Sequence, residues 1–227
     1  MYISIVLPCL NEEENIELVV NDVFKWFKHQ HLDGEVIAVN DGSEDQTGPL
    51  LDRMAVSNNR LNIIHHNENK GHGKALISGF SQAKGEIWGM MDSDGQIHAE
   101  DFAGLLPFVR SKQIAIGRRV KRVDPFLRKV FMRIYALLVW IILGVRVKDV
   151  NCGMKLFHSS DWPKLEPRIA TGGFFHAELL CRAKRSSILL KIVPVSHYPR
   201  HGGKQTGASI KVIKTIVVEL LRLRRGL

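Results

Sequence analysis

Short, unbroken apolar segments alternate with helix-periodic segments through the first 120 residues, and several of the apolar segments end in a polar cluster. No other feature constrains the fold as strongly. Tyr2-Ile-Ser-Ile-Val-Leu7 reads as a buried strand that stops at Pro8. Glu35 to Val39, Leu61 to His65, Glu86 to Met91 and Ile114 to Gly117 read the same way. Helices are expected between them: after Asn11, near Gly48 to Val56, over Gly71 to Ala83 and over Glu100 to Val109. The first is the clearest, because Ile16, Val19, Val20, Val23, Phe24 and Phe27 share one helical face. Asn11 is placed as its N-cap, with Glu14 completing an Asx capping box. The alternation predicts an α/β fold with a mostly parallel central sheet flanked by helices. Ligands of such sheets bind outside the carboxyl ends of the strands. Three polar clusters lie there, at 8–14, 40–45 and 92–96. No repeat or linker interrupts the chain, so one domain over residues 1–227 is expected.

Composition matters mainly through charge. Residues 1–109 hold 7 Lys and Arg against 17 Asp and Glu, whereas residues 110–227 hold 25 against 6. The second half therefore suits an anionic partner: nucleic acid, anionic lipid or a phosphorylated substrate. Aromatic residues are sparse among those cations and no nucleic-acid module appears, so no nucleic-acid partner is expected. Cys9, Cys152 and Cys181 are widely spaced and odd in number, which supports neither a disulfide framework nor a zinc ribbon. No secretory signal is visible, and a reducing cytoplasm is the expected compartment.

Asp92-Ser93-Asp94 follows the apolar strand Ile87 to Met91. Two carboxylates flanking one residue at a strand end suit Mg²⁺ or Mn²⁺, since hard cations prefer oxygen ligands. A solvated turn with a helix cap has the same pattern. Asp41, in Val39-Asn-Asp-Gly-Ser43, fits a base or ribose contact, and equally an ordinary Asx turn. Asn67 to Lys74 sets two glycines and two lysines at a helix start, either an anion site or a plain glycine-rich helix entry. His65-His66 has no partners at zinc spacing, and the histidines read as surface or satisfied core residues.

Taken together, Ile5-Val-Leu-Pro-Cys-Leu-Asn-Glu12, Val39-Asn-Asp-Gly-Ser43, Asn69-Lys-Gly-His-Gly-Lys-Ala75 and Met91-Asp-Ser-Asp-Gly-Gln96 resemble family 2 glycosyltransferases of the GT-A fold. Gly117-Arg-Arg119, Asp149-Val-Asn-Cys-Gly-Met-Lys-Leu-Phe157, Glu178 and Pro199-Arg-His-Gly-Gly-Lys204 look most like the branch that makes polyprenyl-phosphate sugars. The resemblance implies an inverting, metal-dependent hexosyltransferase that uses a UDP- or GDP-linked sugar. Pro8, Asn11, Glu12 and Asp41 would line the nucleotide base and ribose, with Lys74 near them. Asp92 and Asp94 would hold the diphosphate through the metal, and Gln96 would face donor or acceptor. Arg118, Arg200 and Lys204 would contact phosphates, while Asp149, Asn151 and Glu178 would lie near sugar and acceptor. Lys204-Gln-Thr206 departs from the Ser-Lys pair usual in that branch, and the Gln-x-x-Arg-Trp motif of processive synthases is missing. The acceptor is expected to be a polyprenyl phosphate, with a hydroxyl of a cell-envelope glycan as the alternative. Residues 1–120 would form the nucleotide-sugar half and 121–227 the acceptor and membrane-facing half.

Two segments suggest contact with a membrane surface. Seven Arg or Lys lie between 118 and 133, followed by the apolar run Ile134 to Val145. As a helix that run would reach only ~18 Å, against a hydrocarbon core of ~30 Å, so it does not span. Ile210 to Leu223 is amphipathic, with Lys211, Lys214 and Arg222 opposite an apolar face. Such helices suit a bilayer interface or pack on their own domain. The expected location is cytoplasmic, peripheral at the inner face of the cytoplasmic membrane.

Overall fold

The computed structural model describes residues 2–120, 122–170, 172–200 and 211–226, with side chains from residue 216 onward in the last segment. Seven strands form one sheet: β1 (Tyr2–Cys9), β2 (Asp33–Asp41), β3 (Leu61–His66), β4 (Ile87–Met90), β5 (Gln113–Arg119), β6 (Lys155–His158) and β7 (Leu189–Val195). Their order is β3-β2-β1-β4-β6-β5-β7. All neighbours are parallel except β6, which runs antiparallel to both β4 and β5. The mostly parallel sheet of the sequence reading is therefore present, with one reversed strand in its interior.

Helices cover both faces: α1 (Ile16–His29), α2 (Thr47–Ser57), α3 (His72–Gln82), α4 (Phe102–Leu105), α5 (Phe126–Leu143), α6 (Trp162–Leu165), α7 (Phe175–Arg185) and α8 (Lys211–Gly226). The apolar stripe of α1 is buried as its spacing requires, with Trp26 and Phe27 packed against Phe102 and the sheet. On the opposite face Phe80, Trp88, Phe157 and Trp162 form an aromatic cluster with ring centroids 4.6–6.3 Å apart. Each of these large side chains contributes on the order of 2–3 kcal/mol of burial, which fixes the sheet as a rigid platform.

Three local expectations need correction. Asn11 is not the N-cap of α1: the helix begins at Ile16 behind Asn15, and Asn11 sits at φ 54° in the preceding loop. Residues 100–109 do not make one helix. Pro107 lacks a backbone donor, and the segment breaks into a 3₁₀ turn, the one-turn α4 and a second 3₁₀ turn. The apolar run at 134 begins earlier, as α5 from Phe126, and ends where Gly144 takes a left-handed φ of 71°. Among the described residues no helix is long and apolar enough to cross a membrane.

The two amphipathic segments behave differently. In α8 the apolar residues Leu220 and Leu223 are fully buried, packed with α5 in the core. These two residues are spent within the domain, while Val218 and Leu221 of the same helix are exposed. On α5, by contrast, Phe126, Leu127, Ile134, Leu137, Trp140 and Ile141 are exposed. Their spacing of three, four and seven residues puts them on one stripe.

Candidate active site

The loops after β1, β2, β3 and β4 meet at the carboxyl edge of the sheet and are bonded to one another. Asn11 donates its N–H to Ser43 Oγ at 3.0 Å and accepts from the Glu44 N–H through Oδ1 at 2.9 Å. Glu12 donates its N–H to Thr47 Oγ1 at 2.8 Å. Its buried carboxylate accepts from Asn15 Nδ2 and from Arg200. Burial pushes the Glu12 carboxyl up despite those donors. Pro8 is buried in β1, and its carbonyl accepts from Ser93 Oγ at 2.8 Å, which anchors the Asp92–Asp94 turn to the first loop.

Asp41 is built into the protein. Its carboxylate accepts from the backbone N–H of Lys70 (3.0 Å) and Gly71 (2.8 Å) and pairs with His66 Nδ1 at 2.6 Å. The far nitrogen of His66 meets Ser78 Oγ at 3.0 Å. Asp41 thus holds the 66–71 loop at the edge of the sheet. Gly42 lets that loop approach, because its φ is +74° and a Cβ there would lie 2.5 Å from the Glu68 backbone. Lys74 stands exposed on the first turn of α3.

Asp92 and Asp94 lie together at the end of β4. Burial and the neighbouring Asp92 charge push the Asp94 carboxyl up to about 6. Asp94 Oδ1 accepts from the Gln96 N–H at 3.1 Å. The Asp92 side chain is partly open, with His72 Nε2 4.0 Å from Oδ1. Two carboxylates whose charges oppose each other fit a divalent cation, which would relieve that repulsion. Among the described residues no third metal-ligating side chain converges on them. Gln96 is buried. Its backbone carbonyl accepts from the Tyr198 N–H, and Nε2 donates to the Tyr198 carbonyl at 3.3 Å, so it ties this turn to the 196–200 segment.

The two carboxylates expected near the acceptor are both engaged. Arg119 donates to Asp149 from Nε at 2.8 Å, Nη2 at 2.7 Å and its backbone N–H at 3.1 Å. Burial alone would drive the Asp149 carboxyl up, but Arg119 and Arg122 hold it below the ordinary range. Glu178 is fully buried and accepts from the N–H groups of Arg168, Ile169 and Ala170 at 2.6–3.0 Å and from Arg182 at 2.8 Å. It caps the 168–170 turn. The Asn151 Oδ1 is buried and has no hydrogen-bond partner among the described residues. Lys204 lies outside the described residues.

Beside Asp149 opens a cleft of about 690 Å³ lined by Arg118, Arg119, Arg122, Lys129, Arg133 and Lys148 with Met132 and Ala136. It shares Arg118, Ala136 and Lys148 with a second groove of about 580 Å³, where Leu137, Trp140, Val147 and Ile192 add an apolar wall. Arg119 and Lys148 escape a reading of the sequence that stops at Arg118. Adjacency is the signal that points to them: Arg119 follows Arg118, and Lys148 precedes Asp149.

Comparison with known proteins agrees with this architecture. A family model described as glycosyl transferase family 2 matches residues 4–165. The dolichyl-phosphate beta-glucosyltransferase of Saccharomyces cerevisiae is 29% identical over 247 residues, covering 96% of this chain and 74% of that protein. The polyprenol monophosphomannose synthase of Mycolicibacterium smegmatis is 27% identical over 227 residues, covering 91% and 82%. Glucosyl-3-phosphoglycerate synthase from Mycobacterium tuberculosis, solved with Mn²⁺, UDP-glucose and glycerol 3-phosphate, superposes with a TM-score of 0.72 at 20% identity, covering 99% of this chain and 80% of that one. At that identity the likeness concerns the fold. The motifs in their order, the loops they build at one sheet edge and the match over residues 4–165 agree, and the chain belongs to glycosyl transferase family 2.

Proposed function

We propose that the protein transfers a sugar, with inversion, from a nucleoside-diphosphate sugar to a polyprenyl phosphate at a membrane surface. One observation carries this reading: the basic cleft beside Asp149 runs into a groove walled by Leu137, Trp140, Val147 and Ile192. A phosphate on an apolar tail has that polarity. The named relatives act on dolichyl phosphate and make a polyprenol phosphomannose, which supports the same acceptor class.

The residues divide the work. Asp92 and Asp94 would hold Mn²⁺ or Mg²⁺, which when bound neutralises charge on the leaving diphosphate. The loops carrying Pro8, Asn11, Glu12 and Asp41 shape the nucleotide side, and residues 1–120 form that half. Arg118, Lys129, Arg133 and Lys148 receive the acceptor phosphate in the cleft. A phosphate oxygen attacks the anomeric carbon as the bond to the diphosphate breaks, and the electron pair leaves on the β-phosphate oxygen. The nucleophile is already ionised near neutral pH and needs no strong base. Asp149 and Glu178, the bases a hydroxyl acceptor would call on, are engaged with Arg119 and with backbone donors. That favours the phosphate over a glycan hydroxyl.

Membrane contact is assigned to α5. Its exposed apolar stripe lies beside Lys129 and Arg133, and Arg146 stacks over Trp140 at 5.1 Å. Apolar burial flanked by cations suits an anionic leaflet. The nucleotide half then faces the compartment where nucleotide sugars are made, the cytoplasm. Thermal-shift measurement with UDP- and GDP-linked hexoses, with and without Mn²⁺, tests the donor side: stabilisation by one base class that requires the metal is expected. Equal melting temperatures across the panel would contradict it.

A further inference from the structure

Lys155 opens β6, paired with Met90 on one side and Ile116 on the other, and its side chain is completely buried. Burial pulls the ammonium down to about 8. Its partners are neutral: the carbonyls of Cys152 and Val150, the latter at 3.4 Å, and His176 Nδ1 at 3.2 Å. Burial and the Lys155 charge hold His176 well below its ordinary value, so the ring is neutral and accepts. An ammonium in such surroundings costs several kcal/mol. An aliphatic side chain would fill the space without that cost, so filling is not a sufficient account of the lysine.

What it touches is the 149–153 turn, which the Cys152 N–H closes on the Asp149 carbonyl at 3.3 Å. At one end of the turn Asp149 grips Arg119. At the other end Gly153 lies against the metal-site carboxylate, where an added Cβ would fall 2.4 Å from Asp92 Oδ2. Both contacts therefore depend on the path of the turn, and Lys155 binds two of its carbonyls.

We propose that Lys155 is a positioning residue for the metal–diphosphate site, fixing the 149–153 turn and through it both the Asp92 carboxylate and the Arg119 guanidinium. This rests on the reading that Asp92 and Asp94 hold a divalent cation. The probe is Mn²⁺, titrated calorimetrically into the full chain in the presence of UDP and, in a parallel arm, GDP. Lys155→Met, which keeps the length and removes the donors, should weaken Mn²⁺ binding by about tenfold or more, the range known for residues behind a metal's direct ligands. Lys155→Arg should recover most of the loss, a rescue that mere space-filling would not give. Gly153→Ala leaves the buried ammonium alone and pushes on Asp92 directly; it should reproduce the Lys155→Met loss. Wild-type affinity in folded Lys155→Met overturns the proposal. If Lys155→Met does not fold, wild-type affinity in Gly153→Ala overturns it. If the wild-type chain itself binds no Mn²⁺ with either nucleotide, the reading of Asp92 and Asp94 fails, and this inference fails with it.

Discussion

Asp94 shows how a binding site costs the free protein stability. Its carboxyl is raised to about 6 by burial and by Asp92, above the ordinary 3.8. The folded state therefore prefers the protonated form. The stability this preference brings is complete below pH 3.8 and is lost as pH rises through about 6. At neutral pH the ionised pair costs the metal-free fold on the order of 2 kcal/mol. Asp94→Asn should raise the metal-free melting temperature at pH 7 by a few degrees, change it little near pH 4, and abolish stabilisation by Mn²⁺ plus nucleotide. A lower melting temperature at pH 7 contradicts the account. Glu178 makes the opposite case. Glu178→Gln turns an NH₂ toward backbone donors and should destabilise by roughly 2–4 kcal/mol, with donor affinity unchanged in the folded protein. Lost turnover at wild-type stability would restore it as a base. The carboxylate pair is legible in the sequence because Asp92 and Asp94 stand within one turn. The tasks of Glu178, Gln96 and Lys155 are not, because their partners at 168–170, 198 and 176 are brought near only by the fold.

At the scale of elements, periodicity reads best where one face is buried. The stripe of α1 and the strands β1 to β5 follow from it directly, since buried parallel strands are continuous apolar runs. Strand β6 has four residues and begins with a lysine, so its pattern carries no strand signal. Exposure on β7 follows no simple alternation, with Leu189 and Ile192 open to solvent. Periodicity also cannot say what covers an apolar face: Leu220 and Leu223 of α8 pack in the core, whereas Leu137, Trp140 and Ile141 of α5 are exposed. Replacing Trp140 and Ile141 on α5 by Glu should reduce flotation with anionic liposomes at least about tenfold, each buried large side chain being worth ~1.5–3 kcal/mol, while the melting temperature stays near wild type. Deleting residues 211–227 should instead destabilise the fold, because Leu220 and Leu223 leave the core. Loss of flotation on deletion with unchanged stability would return the membrane contact to α8.

The whole molecule joins an acidic first half to a basic second half across one seven-stranded sheet. The loops of the first half and the cleft of the second meet where Arg119, on β5, reaches Asp149 and adds its charge near Asp94. Attachment through cations should weaken with salt, since exposed charges are screened beyond ~8 Å at physiological ionic strength. Sugar transfer to the lipid phosphate is the proposed reaction. Vesicles containing a polyprenyl phosphate, a panel of radiolabelled UDP- and GDP-sugars, Mn²⁺ and the full chain test it in one measurement, by partition of label into the lipid phase. A metal-dependent glycolipid of inverted anomeric configuration is expected, formed from one nucleotide class and absent when the unphosphorylated polyprenol replaces the phosphate. Label reaching only a water-soluble hydroxyl acceptor, or a lipid product unchanged when Asp92 and Asp94 are both replaced by alanine, would contradict it.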